Sequence, residues 1–174
     1  YAYADASLKV PRSYGCRCTM MNGAAVLYKA CKQTLTAPST VWSEMDAFFE
    51  QTTDLLGLRN LMAELGMYQE KPSAIYGDNE SQQQIANNRG SLGQTSRAMD
   101  LKTLSSRNRI EDHQVETRRI KTTDMVADIG TKALPENPFV RLRDVMNGYT
   151  LVKAAYPNKV ISNLVYGGEK KGML

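Results

Sequence analysis

The chain has 174 residues, 42% of them hydrophobic and 23% charged, with a net charge of +4; this is the balance of one soluble globular domain with room for a real core. No apolar run approaches the ~20 residues that span a bilayer, and the amino end lacks a signal-peptide pattern, so no membrane partner is expected. The mild basic excess permits a polyanionic partner without requiring one.

Three cysteines, Cys16, Cys18 and Cys31, lack a second Cys pair or a His cluster for a zinc site, and are read as reduced thiols in an intracellular compartment. His113 is the only histidine and nothing places a nucleophile beside it, which argues against Ser–His or Cys–His chemistry. The chain opens on Tyr1, already part of a strand pattern, as a fragment of a longer polypeptide would.

Residues 1–8 alternate, with Tyr1, Tyr3 and Asp5 on one side and Ala2, Ala4 and Ala6 on the other, which predicts a strand. Pro11 and Gly15 break the chain. Cys16 to Met21 and Ala24 to Lys29 then read as two strands joined by the hairpin signal Asn22-Gly23. Ser39 and Thr40 offer N-caps for a helix from Val41 to Leu65, with Phe48, Thr52, Leu55, Met62 and Leu65 along its core stripe and Gly66 as terminator. Glu44 lies one turn before Phe48, on the same face. Asp46 competes with it, but sits roughly 200° round the helix, so the two acids cannot both face one site.

Residues 73–81 follow as a short strand ending in Asp78, with Asn79 next to it and a polar helix from Ser81 to Asn87. Residues 87–91 read as a loop, Met99 to Arg109 as a helix, and Gln114 to Ile120 as a strand with Val115 and Ile120 as its apolar points. Asp124 is placed as the cap of a helix running through Asp128 until Pro135, and Pro138 to Met146 as a last short helix. Residues 1–148 are expected to form one domain, and 149–174 a loosely docked tail.

Three antiparallel strands, a long helix, then strands and helices in turn predict a mixed α/β sandwich with helices on both faces. If the fourth strand lies parallel beside the first, Asp5 and Asp78 become neighbours, Glu44 faces them from the long helix and Asp128 from a late one. Four carboxylates with no basic partner nearby in sequence would repel one another. Divalent cations would offset that repulsion; hard oxygen ligands select Mg²⁺ or Mn²⁺, and two such ions suit phosphodiester hydrolysis.

These motifs resemble the ribonuclease H domain of copia-type retrotransposon polyproteins. Tyr3-Ala4-Asp5-Ala6-Ser7 is similar to the family's first acid motif, and Ser39 to Gly66 to its long helix, with Ser43-Glu44-Met45 in the place of Ala-Glu-Tyr. The run from Ile75 to Ser81 resembles the third motif, and Ala127-Asp128-Ile129-Gly130-Thr131-Lys132-Ala133-Leu134-Pro135 the last. Ser96-Arg97-Ala98-Met99-Asp100-Leu101 matches a further landmark, although Ala98 and Leu104 stand where the family has histidines.

The resemblance implies a ribonuclease H-like mixed five-stranded sheet, three antiparallel strands followed by parallel additions. It implies that Asp5 bridges two metal ions, Glu44 and Asp78 hold one, and Asp128 holds the other. The substrate would be an RNA/DNA hybrid, the partner the reverse transcriptase domain of the same polyprotein, and the setting a cytoplasmic retrotransposon particle, with the nucleus as the alternative.

Some relatives carry a helper histidine before the last acid; here that loop is Thr122-Thr123-Asp124-Met125, and His113 reads as a surface turn residue. Ser7 and Asn79, beside two of the acids, and Arg89, Arg97 and Lys102, within a basic run that includes Arg107 and Arg109, are candidates for contacting the substrate. An ordinary solvated face would look the same. Two rival readings remain at this level: a decayed or domesticated module that binds without cutting, and a transposase or integrase on the same fold, which would not need Glu44.

Overall fold

Strand β1 (Ala2–Ser7) organises the molecule because its two faces differ in size. Ala2, Ala4 and Ala6 face one side and Tyr3 the other, and each side is the floor of its own core. The alanine face lets a helix lie close against the strand. The Tyr3 face is filled by larger groups, with the Tyr3 and Tyr76 rings 5.5 Å apart. The computed structural model describes residues 1–87 and 97–150.

Strand β2 (Tyr14–Met21) pairs antiparallel with β1, and β3 (Ala24–Lys32) pairs antiparallel with β2 at the sheet edge. The turn between them has positive φ at both Asn22 (52°) and Gly23 (94°), the mirror-image geometry that suits a tight hairpin. Strand β4 (Ser73–Gly77) lies parallel to β1 on its other side, with Tyr3 opposite Tyr76, and β5 (Val115–Arg119) lies parallel to β4. The sheet order is β3-β2-β1-β4-β5, as the mixed sandwich requires.

Helix α1 (Thr40–Glu64) covers the alanine face with Trp42, Met45, Phe48 and Leu55, joined by α2 (Glu80–Ala86) through Ile85 and Ala86, and by α3 (Arg97–Glu111) through Met99. The expected stripe through Met62 and Leu65 ends at Leu55; Leu65 is 62% exposed. Length explains this: six strand residues span about 20 Å and 25 helical residues about 37 Å, so α1 outruns the sheet. Ser39 holds the N-cap position without a side-chain hydrogen bond, and Gly66, at φ 76°, ends the helix as expected.

The other face is covered by α4 (Asp128–Thr131) and α5 (Glu136–Met146), with Met125, Val126, Ala127, Leu142 and Val145 buried under them. The predicted helix capped by Asp124 does not form. Residues Thr122–Asp124 make a 3₁₀ turn, the buried Met125-Val126-Ala127 run descends to the core, and helix resumes for one turn at Asp128. Asp124 accepts from Arg141 of α5 instead. Among the described residues no helix is long and apolar enough to cross a membrane. The expected tail falls on 149–174, of which 151–174 lie outside the described residues.

Candidate active site

The parallel β1–β4 pairing decides where the acids meet. Carrying the register from Tyr3 opposite Tyr76 two residues onward sets Asp5 beside Asp78, at the carboxyl ends of adjacent strands. Glu44, in the second turn of α1, reaches across the alanine face and accepts a hydrogen bond from the Ala6 backbone N–H at 3.2 Å. One carboxylate oxygen each from Asp5, Glu44 and Asp78 then lie within 4.8 Å of one another. Asp5 and Glu44 are buried and Asp78 is half-buried, so the cluster opens to solvent on the Asp78 side.

The fourth acid enters through a residue the sequence reading overlooked. Lys132 places its ammonium 2.6 Å from Asp128 Oδ1 and 3.6 Å from Asp5 Oδ2. The expectation that the carboxylates lack a basic partner is therefore corrected. The signal was present in the four-residue spacing from Asp128 to Lys132, which one helical turn brings together. Thr131, beside it, donates its hydroxyl to Asp5 Oδ2, and Thr122 donates to Asp78 Oδ2 at 2.9 Å.

Gly130 lets this turn approach the sheet. A Cβ there would lie 2.5 Å from Cys16 Sγ, 2.7 Å from the Tyr28 hydroxyl and 2.8 Å from Ala30 Cβ.

Electrostatics follow from this crowding. Burial, with the negative charge of Asp5 and Asp78 added to it, pushes Glu44 up to about 9. Burial raises Asp5 to about 6, even though the Thr131 hydroxyl and the Lys132 ammonium both pull it down. Burial opposes the charge on Lys132, but its hydrogen bond to Asp128 and the charges of Asp5 and Asp128 prevail and raise its pKa.

Three converging hard oxygen donors that resist ionising together fit a divalent cation of the Mg²⁺ type. Asp46 does not join them. It forms a 2.5 Å ion pair with Lys102, which also reaches Glu50 at 3.0 Å.

The candidate substrate residues are scattered. Ser7 ends β1 and is half-buried, and Arg97 begins α3 and is exposed. Asn79 caps α2, its side-chain oxygen accepting from the Gln82 N–H at 3.1 Å. Lys102 is held by Asp46 and Glu50, and Arg89 lies outside the described residues, as does Ser96. The basic run forms no single solvated face, because Arg107 is buried and donates to the Ile85 carbonyl. His113 is exposed in the turn after α3, at φ 56°.

No family model matches the chain. It is 26% identical over 125 residues to a retrovirus-related Pol polyprotein from transposon TNT 1-94 of Nicotiana tabacum, a match covering 72% of this chain. That span is only 9% of the polyprotein's length. Among solved structures, LC11-RNase H1 in complex with an RNA/DNA hybrid superposes with a TM-score of 0.52 at 8% identity, over 71% of this chain and 86% of that one. The chain therefore has a ribonuclease H-like fold and is similar in sequence to part of a retrotransposon Pol polyprotein, in line with the resemblance of its motifs.

Proposed function

We propose that this domain is a metal-dependent endonuclease that hydrolyses the RNA strand of RNA/DNA hybrids during reverse transcription. The observation that supports it most is the convergence of Asp5, Glu44 and Asp78 within 4.8 Å on an open edge of the site, with Asp128 brought alongside by Lys132. Asp5, Glu44 and Asp78 would hold one cation, and Asp5 with Asp128 a second. Bound Mg²⁺ or Mn²⁺ supplies a nucleophile at neutral pH and charge stabilisation at the scissile phosphate.

The remaining work falls to the protein. The Ala6 N–H fixes Glu44, the Thr131 hydroxyl fixes Asp5, and the Thr122 hydroxyl orients Asp78 from the solvent side. Ser7, Asn79 and Arg97, with Arg89, would contact the hybrid backbone and the RNA 2′-hydroxyls, giving recognition largely independent of sequence. Lys102 is the weaker candidate, since its ammonium is already engaged by two carboxylates. The solved hybrid complex of LC11-RNase H1 supports the substrate class, and the Pol polyprotein relative supports linkage to other domains; a reverse transcriptase neighbour and a cytoplasmic particle as the setting are part of the proposal.

The test is cleavage of an RNA/DNA hybrid labelled on the RNA strand. The reading expects cuts with Mg²⁺, none in EDTA, none in duplex DNA, and products ending in 5′-phosphate. A folded, metal-binding chain that retains the hybrid uncut would instead favour the binding module.

A further inference from the structure

The position of Lys132 bears on how the site fills. Its ammonium stands between Asp128 and Asp5, 2.6 Å from one and 3.6 Å from the other, and forms no ion pair with Glu44 or Asp78. Among the described residues no other lysine or arginine forms an ion pair with Asp5, Glu44, Asp78 or Asp128. Lys132 directly follows the single turn of α4, so its bond to Asp128 closes that turn from end to end. The side chain is 38% exposed, and a lysine stem is flexible, so an exit to solvent is open.

A cation shared by Asp5 and Asp128 would need their oxygens at roughly 2.0–2.1 Å, in the space the ammonium occupies. Like charges cannot share that gap.

We propose that Lys132 is a resident counter-charge that sets the order of cation binding. The first cation enters at Asp5, Glu44 and Asp78, and the second enters beside Asp128 only after Lys132 has swung out. Lys132 acts here as a positioning residue through Asp128. The proposal rests on the metal-dependent reading above.

Calorimetric titration with Mg²⁺ tests it, using wild type, K132Q and K132R, each checked for thermal unfolding in EDTA. The wild type should show a tighter and a weaker step. K132Q should tighten the weaker step by about tenfold or more, because the competing charge is gone, and K132R should restore the wild-type isotherm. In wild-type protein followed by NMR, the Lys132 side-chain signals should move with the second step and not the first. That arm holds even if K132Q fails to fold.

A second step unchanged in K132Q, or Lys132 signals that move with the first step, overturns the inference and leaves the metal-dependent reading intact. If the wild type binds no Mg²⁺, that reading falls and the inference falls with it.

Discussion

Glu44 and Asp46, two residues apart on α1, are committed to different partners: Glu44 accepts from the Ala6 N–H beside Asp5, while Asp46 is bound by Lys102 of α3. The helix turns these acids to different sides, so only Glu44 joins the cluster of Asp5 and Asp78. E44Q should therefore abolish hybrid cleavage with little loss of fold. D46N should keep cleavage but lower stability by about 1–3 kcal/mol, because a buried charge-assisted pair is broken. Urea unfolding and a cleavage assay on both variants check this. The opposite pattern would move the site to Asp46.

The metal-free chain should lose stability as pH rises. Asp5 and Glu44 have folded-state pKa values of about 6 and about 9, above the ordinary carboxylate range, so their protonated forms favour the folded state. That contribution is complete below pH ~4 and is lost as pH climbs through the two folded values. In EDTA, Tm should fall between pH 5 and pH 9, and E44Q should flatten the upper part of the fall. Added Mg²⁺ should raise Tm more at pH 9 than at pH 5. A Tm that rises across this window in EDTA would contradict the account.

Gly130 is required by space, not by backbone angle. A methyl group there would strike Cys16 and Ala30 of the sheet, and the turn bearing Asp128, Thr131 and Lys132 would have to lift. G130A should cost about 1–3 kcal/mol, as overpacked sites do. Because the Thr131 hydroxyl fixes Asp5 and the same turn carries Asp128, it should also weaken Mg²⁺ binding. Wild-type unfolding and an unchanged Mg²⁺ isotherm in G130A would count against this.

Much of this was legible in the sequence because it rests on local chemistry. Alternation gave β1 its two faces, Asn22-Gly23 gave the hairpin, and the turn between Glu44 and Phe48 gave the helix acid its direction. What escaped depends on distant or irregular structure. Lys102 lies 56 residues from Asp46, so no spacing announces their pair. The Thr122 bond to Asp78 joins residues 44 apart. The Asp128–Lys132 spacing was there to be read, but the reach of Lys132 to Asp5 was not, because it depends on how the short turn Asp128–Thr131 docks on the sheet. The end of α1 misled for another reason: apolar periodicity marks which face could be buried, and the sheet beneath stops short of Leu65.

The central claim is that Asp78 belongs to a metal-holding set that performs hydrolysis. It is tested most directly by a hybrid-cleavage assay with Mg²⁺ on wild type and D78N together, with D46N as the control for a buried acid lost elsewhere. The account predicts cleavage by wild type and D46N and a loss of at least about 100-fold in D78N, whose missing charge removes a cation ligand from the site. D78N cutting the hybrid at the wild-type rate would contradict it.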